Sequence, residues 1–336
     1  MAKRLFASVS LFFLSLLISG VFAQTGPYTF DKKIELPGDG GYDYLVIDTV
    51  NRRLYVSHGN KVDVVDLETE KPVGNIDGME GVHGIAIAYD VNKGFISDGK
   101  VNAVTVFDLK TLNKISTIPV SGKDPDAITY DQYSGRVFTF NGDSHNSSVI
   151  DANSLKEIGT VELQGAPEFA VPDGQGKIYN NIEDRNELCV IDTRALKVID
   201  HLPLTPCGKP TGLYLDRANA RLFSACRTNQ GMSVVDFASK KVITTLPIGA
   251  GVDAVTYDPV TKFIFCSNGD GTTTIIKQES ADQYNVVQTL TTQYRAKTMA
   301  IDLRTHKIYL SAPEFEKGTK NRIPGSFRVL VYKLQS

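Results

Sequence analysis

Residues 211–248 read TGLYLDRANARLFSACRTNQGMSVVDFASKKVITTLPI. Four short apolar runs alternate with polar turns in this stretch, and they cover residues 211–216, 221–226, 231–237 and 241–248. Runs of this length between polar turns are typical of antiparallel strands that are joined by tight connections. The stretch therefore predicts one small sheet of four strands.

The pattern recurs through the chain with a period of about 42 residues. Each of seven copies has an Asp before a turn and an aromatic residue in the apolar run that follows. The Asp residues are Asp48, Asp90, Asp131, Asp173, Asp216, Asp258 and Asp302, and the aromatic residues are Tyr55, Phe95, Phe138, Tyr179, Phe223, Phe265 and Tyr309. A period of roughly 40–45 residues with about four strands is the signature of β-propeller blades. We therefore predict seven blades.

A second Asp ends the third apolar run in five copies, at Asp66, Asp108, Asp151, Asp192 and Asp236. A carboxylate at this position can accept hydrogen bonds from backbone N–H groups of the following turn. We interpret these Asp residues, and the residues that mark the repeat, as parts of the structural framework.

The seventh copy has only three runs, at residues 297–302, 307–312 and 327–333, before the chain ends. Residues 28–36 resemble the fourth run of the other copies, although no strand pattern precedes them. A strand from the N-terminus would complete the last blade and remove two exposed sheet edges. The prediction is an all-β, seven-bladed propeller with four antiparallel strands per blade, in which the N-terminal strand closes the last blade.

The N-terminus has the pattern of a secretory signal peptide. Lys3 and Arg4 precede an uncharged apolar stretch, and small residues at Val21 and Ala23 mark a cleavage site. The alternative is a retained membrane anchor. We predict a signal peptide at residues 1–23, a single propeller domain at residues 24–336, export to a bacterial periplasm or beyond, and no stable membrane insertion after cleavage.

The mature chain is weakly acidic, with 34 basic residues once Lys3 and Arg4 are removed and 38 acidic ones. This balance offers no basic surface for nucleic acid, so we expect no nucleic-acid partner. We also expect a monomer.

Four Cys in an exported chain suggest a disulfide. Cys207 and Cys226 flank the ends of two neighbouring predicted strands, so we predict that they are bridged and that Cys189 and Cys266 are buried thiols. Four free thiols are the alternative.

The second run of several copies carries a recurring motif. It reads LYVSHG at residues 54–59, GFISDG at 94–99, VFTFNG at 137–142, IFCSNG at 264–269 and IYLSAP at 308–313. These segments resemble the YVTN-repeat propellers, the YncE-type exported bacterial proteins. The resemblance implies the propeller fold and export, in a wider group that includes lactonase-like enzymes, a lyase-like branch and surface antigens.

In a propeller, the start of each inner strand and the end of each second strand lie on one face. The repeat places Asp43, His83, Asp126, Glu168, Thr211, Asp253 and Lys297 at equivalent starts of the inner strands, and Arg295 lies close by. We predict His83 and Asp126 as candidate acid–base residues. We predict ligand contacts at Asp43, His58, Asn141, Thr211, Arg295 and Lys297.

Carboxylates that are brought together imply a metal, a cationic ligand or a shared proton. Oxygen ligands suit Ca²⁺ or Mg²⁺, which is the candidate cofactor. Glu168, Asn181, Asp253 and Asn268 resemble the ligand set of regucalcin- and gluconolactonase-type propellers, in which the metal polarises a lactone carbonyl. The leading hypothesis is an exported propeller that binds a small molecule or an extracytoplasmic protein on this face. The alternative is a metal-dependent, lactonase-like hydrolase or lyase, so the sequence leaves open whether the protein is an enzyme.

Overall fold

The structure is a computed structural model and describes residues 26–335. The predicted signal peptide, residues 1–23, lies outside the described residues. Between residues 26 and 335, the chain forms seven sheets, each of four strands. Neighbouring strands pair antiparallel in every sheet. The predicted seven-bladed, all-β propeller is confirmed.

Strand β1 (Tyr28–Glu35) comes first. The next 24 strands form six blades, each of four consecutive strands. Blades 1 to 3 contain β2 (Tyr42–Asp48), β3 (Arg53–His58), β4 (Lys61–Asp66), β5 (Lys71–Ile76), β6 (Val82–Ala88), β7 (Lys93–Asp98), β8 (Ala103–Asp108), β9 (Lys114–Pro119), β10 (Pro125–Asp131), β11 (Arg136–Asn141), β12 (Asn146–Asp151) and β13 (Lys156–Glu162). Blades 4 to 6 contain β14 (Pro167–Pro172), β15 (Lys177–Ile182), β16 (Glu187–Asp192), β17 (Lys197–Pro203), β18 (Pro210–Asp216), β19 (Arg221–Cys226), β20 (Gly231–Asp236), β21 (Lys241–Pro247), β22 (Val252–Asp258), β23 (Phe263–Asn268), β24 (Thr272–Gln278) and β25 (Tyr284–Thr291).

Blade 7 combines the two ends of the described chain. It contains β26 (Thr298–Asp302), β27 (Lys307–Ala312) and β28 (Arg328–Leu334), and its sheet order is β1-β28-β27-β26. Strand β1 pairs with β28 from Tyr28 opposite Leu334 to Glu35 opposite Arg328. The N-terminal strand is therefore the outermost strand of the last blade.

Blade 7 also contacts blade 1 directly. Arg52 in blade 1 donates two hydrogen bonds to the carboxylate of Asp302 in blade 7, at 2.7 and 2.6 Å. Behind this pair, Leu54 of blade 1 and Tyr309 of blade 7 belong to one buried apolar cluster. The seven blades thus follow one another around a common axis.

The residues that mark the repeat form the framework, as predicted. The seven aromatic side chains are all buried, from Tyr55 at 0% exposure to Tyr179 at 4%, and burying one such side chain stabilises the fold by about 1.5–3 kcal/mol. Asp48 and Asp66 each accept two backbone N–H groups of the following turn, at 2.7 to 3.1 Å. These carboxylates hold the turns on the face away from the candidate site.

The predicted disulfide is present. Cys207 and Cys226 are bonded, with their Cα atoms 5.2 Å apart, and the alternative of four free thiols is wrong. Cys189 and Cys266 are buried free thiols, as predicted. Three short 3-10 turns occur in the described chain, at Tyr89–Val91, Gly99–Val101 and Glu183–Arg185. Within residues 26–335, no helix is long and apolar enough to cross a membrane.

Candidate functional site

One backbone hydrogen bond recurs on the face where the inner strands begin. In six blades, the N–H group that follows the second strand donates to a carbonyl just before the inner strand, at 2.8 to 3.0 Å; the pairs are Gly59 to Gly41, Gly99 to Gly81, Gly142 to Asp124, Glu183 to Ala166, Arg227 to Lys209 and Gly269 to Gly251. This bond sets the direction of each inner strand. It therefore places the residue two positions after the carbonyl at the same level in each of these blades.

These equivalent positions define what we call the axial ring. Its members are Asp43, His83, Asp126, Glu168, Thr211, Asp253 and Lys297. Six of them are the second residue of an inner strand, and Lys297 immediately precedes β26. The sequence repeat identified all seven, but the structure shows two chemically different sides of the ring.

The first side joins a histidine to two carboxylates. His83 Nδ1 donates a hydrogen bond to Asp43 Oδ2 at 2.8 Å and lies 3.5 Å from Asp126 Oδ1. Burial alone would lower the pKa of His83, but the Asp43 hydrogen bond and the charges of Asp126 and Asp43 raise it to about 9. The imidazole is therefore charged at neutral pH and cannot act as a free base there.

The pKa of the Asp126 carboxyl is also raised. Burial and the charge of Asp43 raise the pKa of Asp126 to about 7, although the nearby His83 lowers it. Asp126 Oδ1 is shielded from solvent and has no hydrogen-bond partner among residues 26–335. The predicted acid–base candidates thus lie together, and because their titrations are coupled, a proton gained or lost near neutral pH belongs to the pair.

One ligand atom each from Asp43, His83 and Asp126 lies within 4.8 Å of the others. A His nitrogen with two carboxylate oxygens could hold a divalent metal, provided that the imidazole loses its proton. This group is the one cluster of such residues in the described chain with that spacing.

The second side of the ring is made of ion pairs. Arg227 Nη2 donates to Asp253 Oδ1 at 2.6 Å, and Lys297 Nζ donates to Asp253 Oδ2. Arg227 Nη1 also donates to Glu183 at 3.0 Å and lies 4.0 Å from Glu168. Asp253 is therefore held between two cations from the blades on either side of it.

Sequence reasoning missed Arg227. It directly follows β19 in blade 5, the blade whose ring residue, Thr211, is uncharged and buried. A neutral position among charged ones was the available signal, because the cation of that blade comes from the neighbouring connection. Arg227 is thus the cation of blade 5 at the ring.

Glu168 is the least well compensated carboxylate of the ring. Burial and the charge of Asp253 raise the pKa of Glu168 to about 8, and Arg227 only partly offsets these effects. Glu168 therefore holds its proton at neutral pH. With His83 charged, the two shifts reduce the net negative charge around the axis.

Two aromatic rings that the sequence did not single out meet beside the ring. Tyr44 and Phe169 have ring centroids 4.6 Å apart, and they belong to blades 1 and 4, which are not neighbours. The contact must therefore cross the central axis. Burial and the adjacent carboxylates raise the pKa of Tyr44 well above its ordinary value. We call Tyr44 and Phe169 the axial aromatic pair.

Several predicted ligand contacts lie away from the axis. His58 is fully buried, its Nδ1 bonds to Asp63 at 2.8 Å, and its ring stacks on Phe327. Asn141 is also fully buried and donates to Asn146 at 2.8 Å. The structure does not bring these two side chains to the ring, although it places Asp43, Arg295 and Lys297 on the face.

Members of the ligand set taken from the regucalcin-type resemblance already have protein partners. Asn181 is buried, and it donates to the Thr211 carbonyl at 2.8 Å and accepts from Ser224 at 2.9 Å. The amide nitrogen of Asn268, also buried, donates to two threonine hydroxyls at 3.0 and 3.1 Å. Among the described residues Asn268 Oδ1 has no hydrogen-bond partner. Asp253 is already bound by two cations, so a Ca²⁺ or Mg²⁺ site of that kind would have to displace them.

Two cavities open beside the ring. One, of about 440 Å³, is lined by residues that include Arg227, Asp253, Arg295 and Lys297. The other, of about 400 Å³, is lined by residues that include Asp43 and His83. The face can therefore admit a small molecule at either chemical side of the ring.

No protein-family model matches the chain. Over 184 residues, 52% of this chain, it is 26% identical to Antigen Lp49 of Leptospira interrogans, and the match spans 40% of that antigen. In structure it is similar to Kuenenia stuttgartiensis hydrazine synthase, with a TM-score of 0.71 and 14% identity over 87% of this chain and 95% of that one. A chain in the crystal structure of the mitotic checkpoint complex gives a TM-score of 0.75 and 12% identity over 100% of this chain and 98% of that one. The two structural matches show the propeller fold alone.

Proposed function

We propose that this chain is an exported propeller that binds a small molecule or an extracytoplasmic protein on the face that carries the axial ring. The observation that carries the proposal is that two clusters of paired charged side chains are held in place around one axis. Asp253 is held by Arg227 and Lys297, and Asp43 by His83. Polar groups that are already oriented bind a ligand without an added ordering cost.

Export is part of the same proposal. The Cys207–Cys226 disulfide is typical of proteins in an oxidising compartment. Antigen Lp49, to which half of the chain is similar, is named as an antigen, and the motifs of the second strands resemble the exported YVTN-repeat proteins. Both are consistent with a protein that works outside the cytoplasm.

Equilibrium dialysis against an extract of cell metabolites tests the binding role, because it needs no knowledge of the ligand. The wild type is compared with an Arg227→Gln/Lys297→Gln variant and with Lys262→Gln, which removes an exposed cation on the opposite face. Mass spectrometry should find compounds retained by the wild type and by Lys262→Gln, but not by the ring variant. Identical retention by all three proteins would rule out small-molecule binding at the ring.

A second candidate function is a metal-dependent hydrolase or lyase. The observation that favours it is the group of Asp43, His83 and Asp126, whose ligand atoms lie within 4.8 Å of one another. In such an enzyme the metal, held by Asp43, His83 and Asp126, would polarise a carbonyl.

Metal titration tests this candidate. Protein treated with a chelator is dialysed against Ca²⁺, Mg²⁺, Mn²⁺ or Zn²⁺, and the bound metal is measured by elemental analysis. A metal-assisted function requires one ion per chain in the wild type and loss of that ion in Asp126→Asn. A metal content that is unchanged in Asp126→Asn, or no bound metal at all, would exclude the candidate.

A further inference from the structure

Blade 7 lacks the backbone hydrogen bond that recurs in the other six blades. The residue after its second strand is Pro313, which has no N–H group to donate. The carbonyl that would accept this bond belongs to Arg295, and it accepts the hydroxyl of Tyr42 instead, at 2.8 Å. The Arg295 N–H group donates to Gly269 at 2.9 Å. Arg295 is therefore held at the face, and the chain after Pro313 runs away from the blade before β28 begins.

That chain forms a long loop, residues 313–327, between β27 and β28. The loop returns to blade 1, where the Gly325 N–H group donates to Asp39 Oδ1 at 2.6 Å and Arg322 donates to the Gly40 carbonyl. A bridge between Phe315 and Arg322 ties its two halves together. The loop thus holds Lys320 and Arg322 beside Lys297 of the axial ring.

A cavity of about 310 Å³ lies where the loop meets this face. The residues that line it are Gly41, Tyr42, Arg295, Lys297, Phe315, Lys320 and Arg322. The lining includes four cations and no carboxylate. We call this cavity the cationic pocket.

Three of these cations have no protein counter-charge. Among the described residues, no carboxylate oxygen lies within 4.0 Å of the side-chain nitrogens of Arg295, Lys320 or Arg322. Within the described part of the chain, the Nε atom of Arg295 is shielded from solvent and has no hydrogen-bond partner. Converging cations, with a buried donor left unsatisfied, are suited to an anion from outside the chain.

Two of the seven residues that line the cationic pocket, Tyr42 and Phe315, are aromatic. The Arg295 guanidinium lies 5.5 Å from the centre of the Phe315 ring, and the Arg322 guanidinium lies 6.0 Å from that of Tyr42. These contacts position the two guanidinium groups and leave apolar surface beside them. A bound anion would therefore meet charge and an apolar wall together.

We propose that the cationic pocket binds a small organic anion, in which a carboxylate or phosphate group is attached to an aromatic or apolar part. Arg295 and Arg322 would pair with the anionic group, and Phe315 and Tyr42 would contact the apolar part. The proposal rests on the binding function proposed above, because the pocket shares Lys297 with the axial ring. It adds the chemical class of the ligand.

Calorimetric titration with four probes tests the ligand class. Phenyl phosphate and benzoate carry both features, inorganic phosphate carries only the charge, and benzylamine carries the opposite charge. The wild type should bind phenyl phosphate or benzoate more tightly than inorganic phosphate, and it should not bind benzylamine. The better of the two aromatic probes identifies the anionic group.

Variants locate the site. Arg295→Gln and Arg322→Gln should each weaken binding of the better probe about 10-fold or more, as expected for loss of a charge-assisted hydrogen bond. Arg185→Gln removes an exposed cation at the same face in blade 4, outside the pocket, and should change the affinity less than about 2-fold. If Arg295→Gln lowers the melting temperature, Lys320→Gln in the loop is measured instead, and it should also weaken binding of the better probe.

Several outcomes overturn the proposal. They are no binding of any probe, equal binding of benzylamine, equal affinity for inorganic and phenyl phosphate, or equal effects of Arg295→Gln and Arg185→Gln. The dialysis experiment separates this failure from that of the binding function, since it scores any compound retained at the ring. Retention there without probe binding here would remove the anion assignment alone.

Discussion

Arg227 of blade 5 donates a 2.6 Å hydrogen bond to Asp253 of blade 6, and Lys297 of blade 7 donates to the other oxygen of the same carboxylate. One side chain thus connects three consecutive blades at the axis. The Asp253 side chain is only 8% exposed. A buried carboxylate is costly unless its oxygens have partners, and each oxygen of Asp253 has a cationic one.

Asp253→Asn should therefore destabilise the protein by about 1–3 kcal/mol, since it leaves Arg227 and Lys297 without their shared counter-charge. Asp143→Asn makes the same chemical change at an exposed residue of the same face, and it should stay within about 0.5 kcal/mol of the wild type. Urea unfolding measures both. Equal stability of the two variants would mean that the three-blade contact contributes nothing.

The His83–Asp43 contact predicts a shifted titration. In chelator-treated protein, the imidazole of His83 should titrate near pH 9 by NMR. Because its folded pKa is raised, the charged ring stabilises the fold fully below about pH 6.5, and this contribution is lost as the pH rises through about 9. Asp43→Asn should move the pKa down by at least about 1 unit. An unchanged titration in that variant would contradict the assignment of Asp43 as the main partner.

Glu168 predicts a loss of stability toward alkaline pH. Its folded pKa of about 8 is above the ordinary 4.5, so the protonated form stabilises the fold fully below about pH 4.5. This contribution is lost as the pH rises through about 8. Glu168→Gln resembles the protonated side chain and should retain at least about 1 kcal/mol that the wild type loses over this range.

Chemical unfolding at a series of pH values measures the difference. Glu80→Gln, at an exposed position on the same face, is the matched control and should follow the wild type at every pH. If Glu168→Gln also follows the wild type, Glu168 is ionised in the folded protein at neutral pH.

The disulfide predicts a stability change that can be separated from thiol chemistry. A Cys207→Ser/Cys226→Ser variant should lose about 3 kcal/mol, because the bond closes a loop with a sequence separation of 19. In unfolded, unreduced wild type, a thiol reagent should count two thiols, those of Cys189 and Cys266. A count of four would show that the bond does not form.

The close approach of blades 5 and 6 predicts a steric effect. A Cβ atom on Gly212 would lie 2.6 Å from the backbone nitrogen of Val255. Gly212→Ala should destabilise the fold by about 1–3 kcal/mol. A Cβ atom on Gly41 would meet nothing within 4 Å, so Gly41→Ala is the control, with an expected change within about 0.5 kcal/mol. Denaturant midpoints compare them, and similar midpoints would contradict the packing argument.

Much of the fold was predictable because each strand carries its own signal. In blade 5 the predicted runs and the strands agree within one residue at every end, since polar turns begin and end each apolar run. The Cys207–Cys226 bond followed from the same local pairing, in which Pro210 lies opposite Cys226. The equivalence of Asp43, His83 and Asp126 followed from the repeat.

The orientation of individual side chains was less predictable. Asn181 and Asn268 lie near the ends of second strands, where sequence position alone suggests exposure on the face. Successive side chains of a strand point to opposite sides of the sheet. The Asn181 amide bonds to the Thr211 carbonyl of the next blade, whereas the Asn268 amide bonds to Thr272 of its own blade. The oxygen-ligand set implied by the resemblance stays a prediction, because sequence position does not decide which of these oxygens is free.

By itself, the sequence determined the number of blades, the strands within them, the disulfide and the positions of the axial ring. These features depend on local periodicity, which repeats in every copy. The tertiary structure alone decided which charges meet. Arg227 bonds to Asp253, Tyr44 contacts Phe169 across the axis, and Pro313 releases the loop that brings Arg322 beside Arg295. Such contacts join residues from different blades, and their chemistry depends on distances and burial that only the closed ring creates.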